Sequence, residues 1–296
     1  MKAIRVIRGV VVIFTVTVLF AIPFSLDNYF VTWIFTLGAI YAIFTISWGF
    51  LERYSGRPSL GHSLAAGVPA YLAAVSYNLG YGVSVPALIS VLIIFLLYYG
   101  LSVRLGKKEF IFATFVISIL LWVAAPRLIL SYGDTMIGGE EGFFLPSVPL
   151  ETVYVLSFIS LITTAVIYDF LARTGIGIKM GAVRDDEVAA RAVGVRINRM
   201  KLLASMLSSI TAAAAGYLYS FLFSHVSPEI FSVELSVFPL IVSMGGLSAT
   251  RMTVFSFALL FVARSLNALA PQLHLVIYAI LLILFPLFGR RLYAQG

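Results

Sequence analysis

The residues that could do chemistry are few and scattered. His62, His225 and His274 lie on three different segments, and no carboxylate recurs beside them at metal-ligand spacing. Neither a metal site nor an acid–base pair is spelled out by that pattern. The nearest approach to a phosphate cradle is Gly106-Lys107-Lys108, which lacks the upstream glycine and the hydroxyl residue of the G-x-x-x-x-G-K-[ST] loop. ATP hydrolysis by this chain is therefore excluded. There is no cysteine, hence no disulfide, thiolate nucleophile, thiolate metal site or palmitoyl anchor. Ionisable residues inside apolar runs would mark a proton or ion path. Asp169 and Arg127 stand near the ends of such runs, and only Arg264 sits deeper. Arg264 reads either as facing the bundle or as snorkelling outward. So little buried charge points to an energy source outside the chain.

One stretch departs from this sparseness. Between Arg173 and Lys201, ten of the chain's 33 charged residues fall within 29 positions, seven of them basic. Gly181 and Gly194 bracket a short helical candidate, with Asp185, Asp186 and Glu187 near its start and Arg191 late, as the helix dipole favours. Glu187 and Arg191 are spaced four apart in the favourable order. Ala182, Ala189, Ala190 and Val193 give a face of small side chains that another protein could approach closely. The alternative is an ordinary basic loop, but retention at a membrane surface would not require the small-residue face.

Two further stretches break the apolar pattern. Ser55-Gly56-Arg57-Pro58-Ser59-Leu60-Gly61-His62-Ser63 interrupts a helical run with glycine and proline. Non-helical backbone at membrane depth is tolerated where protein or a water-filled cavity covers it, so half-helix ends here could line a solute pathway; a plain turn is the other reading. Gly138-Gly139-Glu140-Glu141-Gly142 is too glycine-rich to span, and fits a lid, a docking loop or a flexible connector.

The elements that must position these residues are membrane helices. The chain of 296 residues is 61% hydrophobic and 11% charged, about half the charge of a soluble domain, with a mean hydropathy of +1.03. This is an all-α integral membrane protein, one helix bundle over residues 1–296. The net charge of +7 is no nucleic-acid signal, because the basic residues fall in patches between apolar runs. The first 26 residues resemble a signal peptide, but the apolar stretch is long for one and no small-x-small site follows. They are read as a retained first span. With about 20 residues per span, the breaks predict about ten: residues 6–26, 30–50, 60–77, 83–103, 110–130, 152–171, 202–223, 235–247, 252–270 and 273–288. The third and eighth are the candidates for re-entrant or broken helices. Placing the first residues inside with Lys2, Arg5 and Arg8 puts Arg53, Arg57, Arg104, Lys107, Lys108, the charged stretch, Arg251, Arg290 and Arg291 inside as well. Asp27, Asp134, Glu140, Glu141, Glu229 and Glu234 then fall outside. Both termini are expected in the cytoplasm.

Four blocks carry a resemblance to a known family. Ser59-Leu60-Gly61-His62, followed by Gly67 and Ala70-Tyr71, is similar to an SLGH-x-A-x-x-G-x-G-A-Y block. Gly138-Gly139-Glu140-Glu141-Gly142 resembles an outer TGG-x-x-G loop. Arg184-Asp185-Asp186-Glu187-Val188-Ala189-Ala190 with Gly194, running on to Lys201-Leu202-Leu203-Ala204, resembles a cytoplasmic R-x-x-E-x-A-A-x-x-x-G block. Val226-Ser227-Pro228-Glu229, Glu234-Leu235-Ser236 and Gly245-Gly246-Leu247 resemble the stretch after the seventh span. Covering about residues 40–250 in order, they make the chain similar to the permease subunits of branched-chain amino-acid ABC importers, the LivM-type half in particular. Arg57-Pro58 before the first block, Pro69 for a glycine, and Ser248-Ala249-Thr250-Arg251 depart from the family pattern.

The resemblance implies a non-hydrolysing permease subunit in a prokaryotic plasma membrane, moving a small polar solute such as a branched-chain or other amino acid. It would bind no cofactor itself, and ATP would be used by partner ATPase subunits. A short cytoplasmic coupling helix between spans six and seven, within residues 173–201, would meet the ATPase through Gly181, Arg184, Asp185, Asp186, Glu187, Ala189, Ala190 and Gly194. Ser59, Gly61, His62 and Gly67 become pathway candidates. Gly138, Gly139, Glu140, Glu141 and Gly142 become candidates for contact with an extracytoplasmic solute-binding protein. A second permease subunit, identical or LivH-type, completes the expected partners, with the lipid bilayer and no nucleic acid. An ion-coupled carrier or channel is the alternative.

Overall fold

A computed structural model describes residues 2–132, 135–270 and 272–293, with side chains described for 11–23, 25–131, 136–270 and 272–283. Asp134 and the side chains of Lys2, Arg5, Arg8, Arg290 and Arg291, which entered the expected orientation, lie outside these.

Each of the ten apolar runs contains a helix. These are α1 (Lys2–Leu26), α2 (Tyr29–Ser55), α3 (Ser63–Asn78), α4 (Ser84–Arg104), α5 (Lys107–Ala124), α6 (Leu150–Leu171), α9 (Ile197–Phe223), α10 (Val233–Ser243), α11 (Ala249–Leu269) and α12 (Leu273–Tyr293). Among the described residues, six helices are long and apolar enough to cross a membrane: α2, α4, α5 with its terminal turn, α6, α9 and α11. The two runs expected to be broken give the short helices, α3 of 16 residues and α10 of 11.

Central to the bundle is α2, which packs most extensively on α9 and also on α6, α11, α10 and the short helix α7 (Gly175–Asp185). Its buried residues run all round the helix from Ile34 to Ser55, the pattern of an element enclosed by others. Asn28 caps its start by accepting from the Phe30 and Val31 amides at 2.9 and 3.3 Å. By contrast α4 and α5 expose Leu88, Leu92, Leu96, Phe112, Val116 and Leu120. Water would not favour such a surface, but a hydrocarbon layer does.

Two departures from a purely helical reading occur at one end of the bundle. The fifth run, expected to stay helical to residue 130, stops at Ala124, because Pro126 cannot continue the ladder. Strands β1 (Ile129–Tyr132) and β2 (Thr135–Gly138) then pair antiparallel, and β3 (Phe143–Phe144) pairs with β4 (His225–Val226). These short pairings satisfy backbone groups that a loop over an apolar core would leave unpaired. Phe143 and Val226 are fully buried there.

Candidate functional site

The charged stretch folds as two helices rather than one. Helix α7 (Gly175–Asp185) and helix α8 (Glu187–Ala192) meet at Asp186, whose backbone is extended. Asp186 caps α8 by accepting from the Val188 and Ala189 amides at 2.7 and 3.0 Å. Those amides hold its carboxyl below the usual range. The expected single helix over 181–194 is thus cut by its own acidic run, since aspartate competes for backbone amides. Gly181 lies inside α7, where its Cα faces open space. Gly194 follows α8 in the left-handed region at φ +82°, and the Val195 amide closes the end by donating to the Ala190 carbonyl.

Glu187 does not pair along its own helix with Arg191. It turns inward to Arg57 and Lys201, each at 2.9 Å, because these two cations are buried and need a counter-charge. Burial alone would raise the Glu187 carboxyl, but hydrogen bonds and charge from Lys201 and then Arg57 hold it below the usual carboxylate range. Arg57 also donates to the Leu105 carbonyl at 2.6 Å, and Lys107 donates to the Arg184 carbonyl. One guanidinium thereby joins the segment after α2, the α4–α5 turn and α8. Arg57 looked like an intrusion before the SLGH block; its importance needed three dimensions to appear.

The face α8 turns outward differs from the expected one. Ala190 is buried in the core at 3% exposure, while Val188 and Val193 stand out at 78% and 79%. Ala189 and Ala192 are exposed between them, with Asp185 and Arg191 nearby. The small-residue face therefore splits: Ala190 and, in part, Ala182 pack against the core, while Ala189 and Val193 join Val188 and Ala192 in an apolar knob.

Ser59, Gly61, His62 and Gly67 come together at the start of α3, closed in by protein. The Ser59 carbonyl accepts from the Trp48 indole at 2.8 Å. The Ser47 hydroxyl donates to the Phe44 carbonyl, so it accepts from His62 Nε2 at 2.7 Å, and His62 Nδ1 pairs with the Tyr98 hydroxyl at 3.0 Å. Both ring nitrogens of His62 thus have hydrogen-bond partners. A Cβ on Gly61 would lie 1.8 Å from the Thr114 carbonyl oxygen, and one on Gly67 would lie 2.5 Å from the Phe231 ring. Beside them the two broken runs meet. The Ser63 amide donates to Ser236 Oγ at 3.0 Å, Ser236 Oγ donates to Ser63 Oγ at 2.7 Å, and the Ser63 and Ser118 hydroxyls both donate to the Phe231 carbonyl. No spacing rule would have found this buried cluster, whose members come from α3, α5 and α10.

At the far end of α6 and α9 from α8, Gly138, Gly139 and Gly142 all have positive φ. Glu140 and Glu141 are exposed on the turn between them, and the Glu141 carbonyl pairs with His225 Nε2. Arg53, Arg57, Lys107, the charged stretch and Arg251 gather at the α8 end, whereas Glu140, Glu141 and Glu229 gather at the strand end.

The strand-end half also holds a cavity of about 260 Å³ between α2, α9, α10, α11 and α12. Arg264 borders it, 5.5 Å from the Trp33 ring centroid. Across from it, His274 bridges Glu234 at 2.6 Å and Asn267 at 2.5 Å.

A helical bundle with an apolar girdle and charge gathered at its two ends is the architecture of a multi-pass membrane protein. The chain belongs to the family described as branched-chain amino acid transport system / permease component, whose model matches residues 30–286. It is a permease component, not an enzyme in itself. It is 32% identical over 122 residues to the high-affinity branched-chain amino acid transport system permease protein LivM of Salmonella typhimurium and of Escherichia coli. That alignment covers 41% of this chain and 29% of each relative. In overall shape the chain is similar to PsaBC from Streptococcus pneumoniae in complex with Fab, with a TM-score of 0.48 and 16% identity over 94% of this chain and 99% of that one.

Proposed function

We propose that this chain is one membrane-spanning permease subunit of an ABC importer in a prokaryotic plasma membrane. It translocates a small polar solute, a branched-chain or another amino acid, and separate ATPase subunits supply the energy. The observation that carries this reading is α8. Its Val188, Ala189 and Ala192, with Val193 just beyond its end, project from the bundle, while Glu187 is clamped beneath by Arg57 and Lys201. An exposed apolar knob on a rigid mount suits a groove on another protein better than it suits water.

In this reading α8, with the end of α7, is the coupling element between spans six and seven, and the ATPase touches it through Gly181, Arg184, Asp185, Asp186, Ala189 and Gly194. Ala190 and the clamped Glu187 support it from within. The basic end is cytoplasmic by the charge rule, which places both termini there and completes about ten spans if α3 and α10 count as short ones. The Gly138–Gly142 turn on the opposite side receives a solute-binding protein. A second permease chain, identical or LivH-type, pairs with this one across the pathway. Ser59, Gly61, His62 and Gly67 form the seat of α3 behind that pathway. ATP stays on the ATPase subunits, whose closure moves α8 and the bundle as rigid bodies.

Co-purification of the tagged chain from its native membrane tests the reading. An ATPase and a permease partner in the complex are expected. A chain that purifies alone and moves solute in vesicles without ATP would establish the ion-coupled carrier or channel instead.

A further inference from the structure

An arginine inside an apolar helix is costly unless its charge is answered. Arg264 is the sixteenth residue of the 21 in α11, and α11 runs from the α8 end, where the Ala249 amide meets Asp169, to the strand end. Part-buried, Arg264 lines the cavity in the strand-end half. One face is taken by Trp33. No described carboxylate lies within ion-pair distance of it; the nearby Glu234 is engaged by His274 instead. What remains in front of the guanidinium is the cavity.

The cavity is polarised. Arg264 is its cationic pole. Glu234 and Glu229 supply the acidic one, and the rings of Tyr41, Phe238 and Tyr278 form an aromatic wall between. Its volume falls below the roughly 300–1,000 Å³ of sites for drug-sized ligands, so the room suits a small solute. A guanidinium with free N–H groups recognises a carboxylate by paired, charge-assisted bonds. Aromatic faces and carboxylates answer a cation.

We propose that this cavity is a solute-binding site within the permease and that Arg264 anchors the carboxylate of a zwitterionic solute, with the Glu234 side receiving its ammonium group. The assignment rests on the permease reading for the solute class, and adds to it the place and the residue that select a free carboxylate.

The test uses the purified full chain in lipid nanodiscs and three probes of one size: L-leucine, L-leucinamide without the carboxylate, and 4-methylpentanoate without the ammonium group. Trp33 reports by its emission, with Trp33→Phe as the check that the signal is local. Leucine is expected to bind most tightly, 4-methylpentanoate more weakly, and leucinamide at least about tenfold more weakly than leucine, as for a site whose polar group is left unpaired. Arg264→Gln should erase the preference for leucine over leucinamide, and Arg264→Lys should restore part of it, which a merely structural role would not do. Equal binding of leucine and leucinamide by the unaltered chain overturns the proposal without any variant. So does absence of a Trp33 response at millimolar leucine. The permease reading fails separately, in the co-purification experiment: an ATPase bound to the chain together with a silent cavity rejects the site alone.

Discussion

Arg57 and Glu187 stand 130 residues apart in the chain and 2.9 Å apart in the fold. Through them the segment that follows α2 is tied to α8, the most exposed helix of the charged stretch. Lys201, at the start of α9, shares the same carboxylate. Any displacement of α8 therefore reaches α2, α9 and the approach to α3 through one buried group.

Breaking this tie from either side is expected to destabilise the bundle. Glu187→Gln leaves two buried cations underpaired, and Arg57→Ala leaves Glu187 with Lys201 alone. Loss of one partner of a buried pair costs about 3–5 kcal/mol, and the solvent that reaches Glu187 should bring the figure to the low end. Thermal unfolding in nanodiscs of both variants and of the double variant checks this, a coupling of about 0.5–3 kcal/mol being the mark of direct contact.

The same carboxyl predicts a pH dependence. In the folded chain it lies below its usual 4.5, so its contribution is complete above that pH and fades as pH falls through the lower, folded value. Stability measured at neutral and at acid pH should therefore converge for the unaltered chain and Glu187→Gln as the medium is acidified.

For docking, the exposed valines are the residues to change. Val188→Glu with Val193→Glu should leave membrane insertion and thermal stability within about 0.5 kcal/mol of the unaltered chain, while removing ATPase from the co-purified complex. Retention of the ATPase would count against α8 as the contact. Ala190→Arg is unsuited to this purpose, since Ala190 is core and the variant would report packing.

Gly61→Ala tests the seat of α3. Its methyl group would meet the Thr114 carbonyl at 1.8 Å, and relieving such overpacking costs about 1–3 kcal/mol through backbone shifts. A lower unfolding temperature and a reduced yield of monodisperse protein are the expected outcomes.

Ser236→Ala removes the acceptor of the buried Ser63 amide. An unsatisfied buried donor costs about 1–3 kcal/mol, and faster hydrogen exchange at the start of α3 should localise the effect.

Much of the architecture was legible from run lengths alone. Apolar stretches become helices because no other backbone conformation pairs its own amides in lipid, and Gly56, Pro58 and Gly61 announce the break before α3. What could not be read was the choice of partner. Glu187 had a cation four residues on and took two others, because burial of Arg57 and Lys201 outweighs proximity along a helix. The serines at 63, 118 and 236 are individually unremarkable in a membrane helix, and meet only because α3 and α10 begin head to head. Strands β3 and β4 join residues from loops some 80 positions apart. Arg264 was visible as an oddity, whereas the cavity it faces is made by five helices and belongs to no local pattern.

The Phe231 carbonyl oxygen is claimed at once by hydroxyls from α3 and α5, and the α3 hydroxyl is in turn claimed from α10. Sliding any one of these helices by a single residue would forfeit bonds on the other two. The junction of α3, α5 and α10 thus behaves as a keystone, and any passage opened by the proposed permease would form away from it.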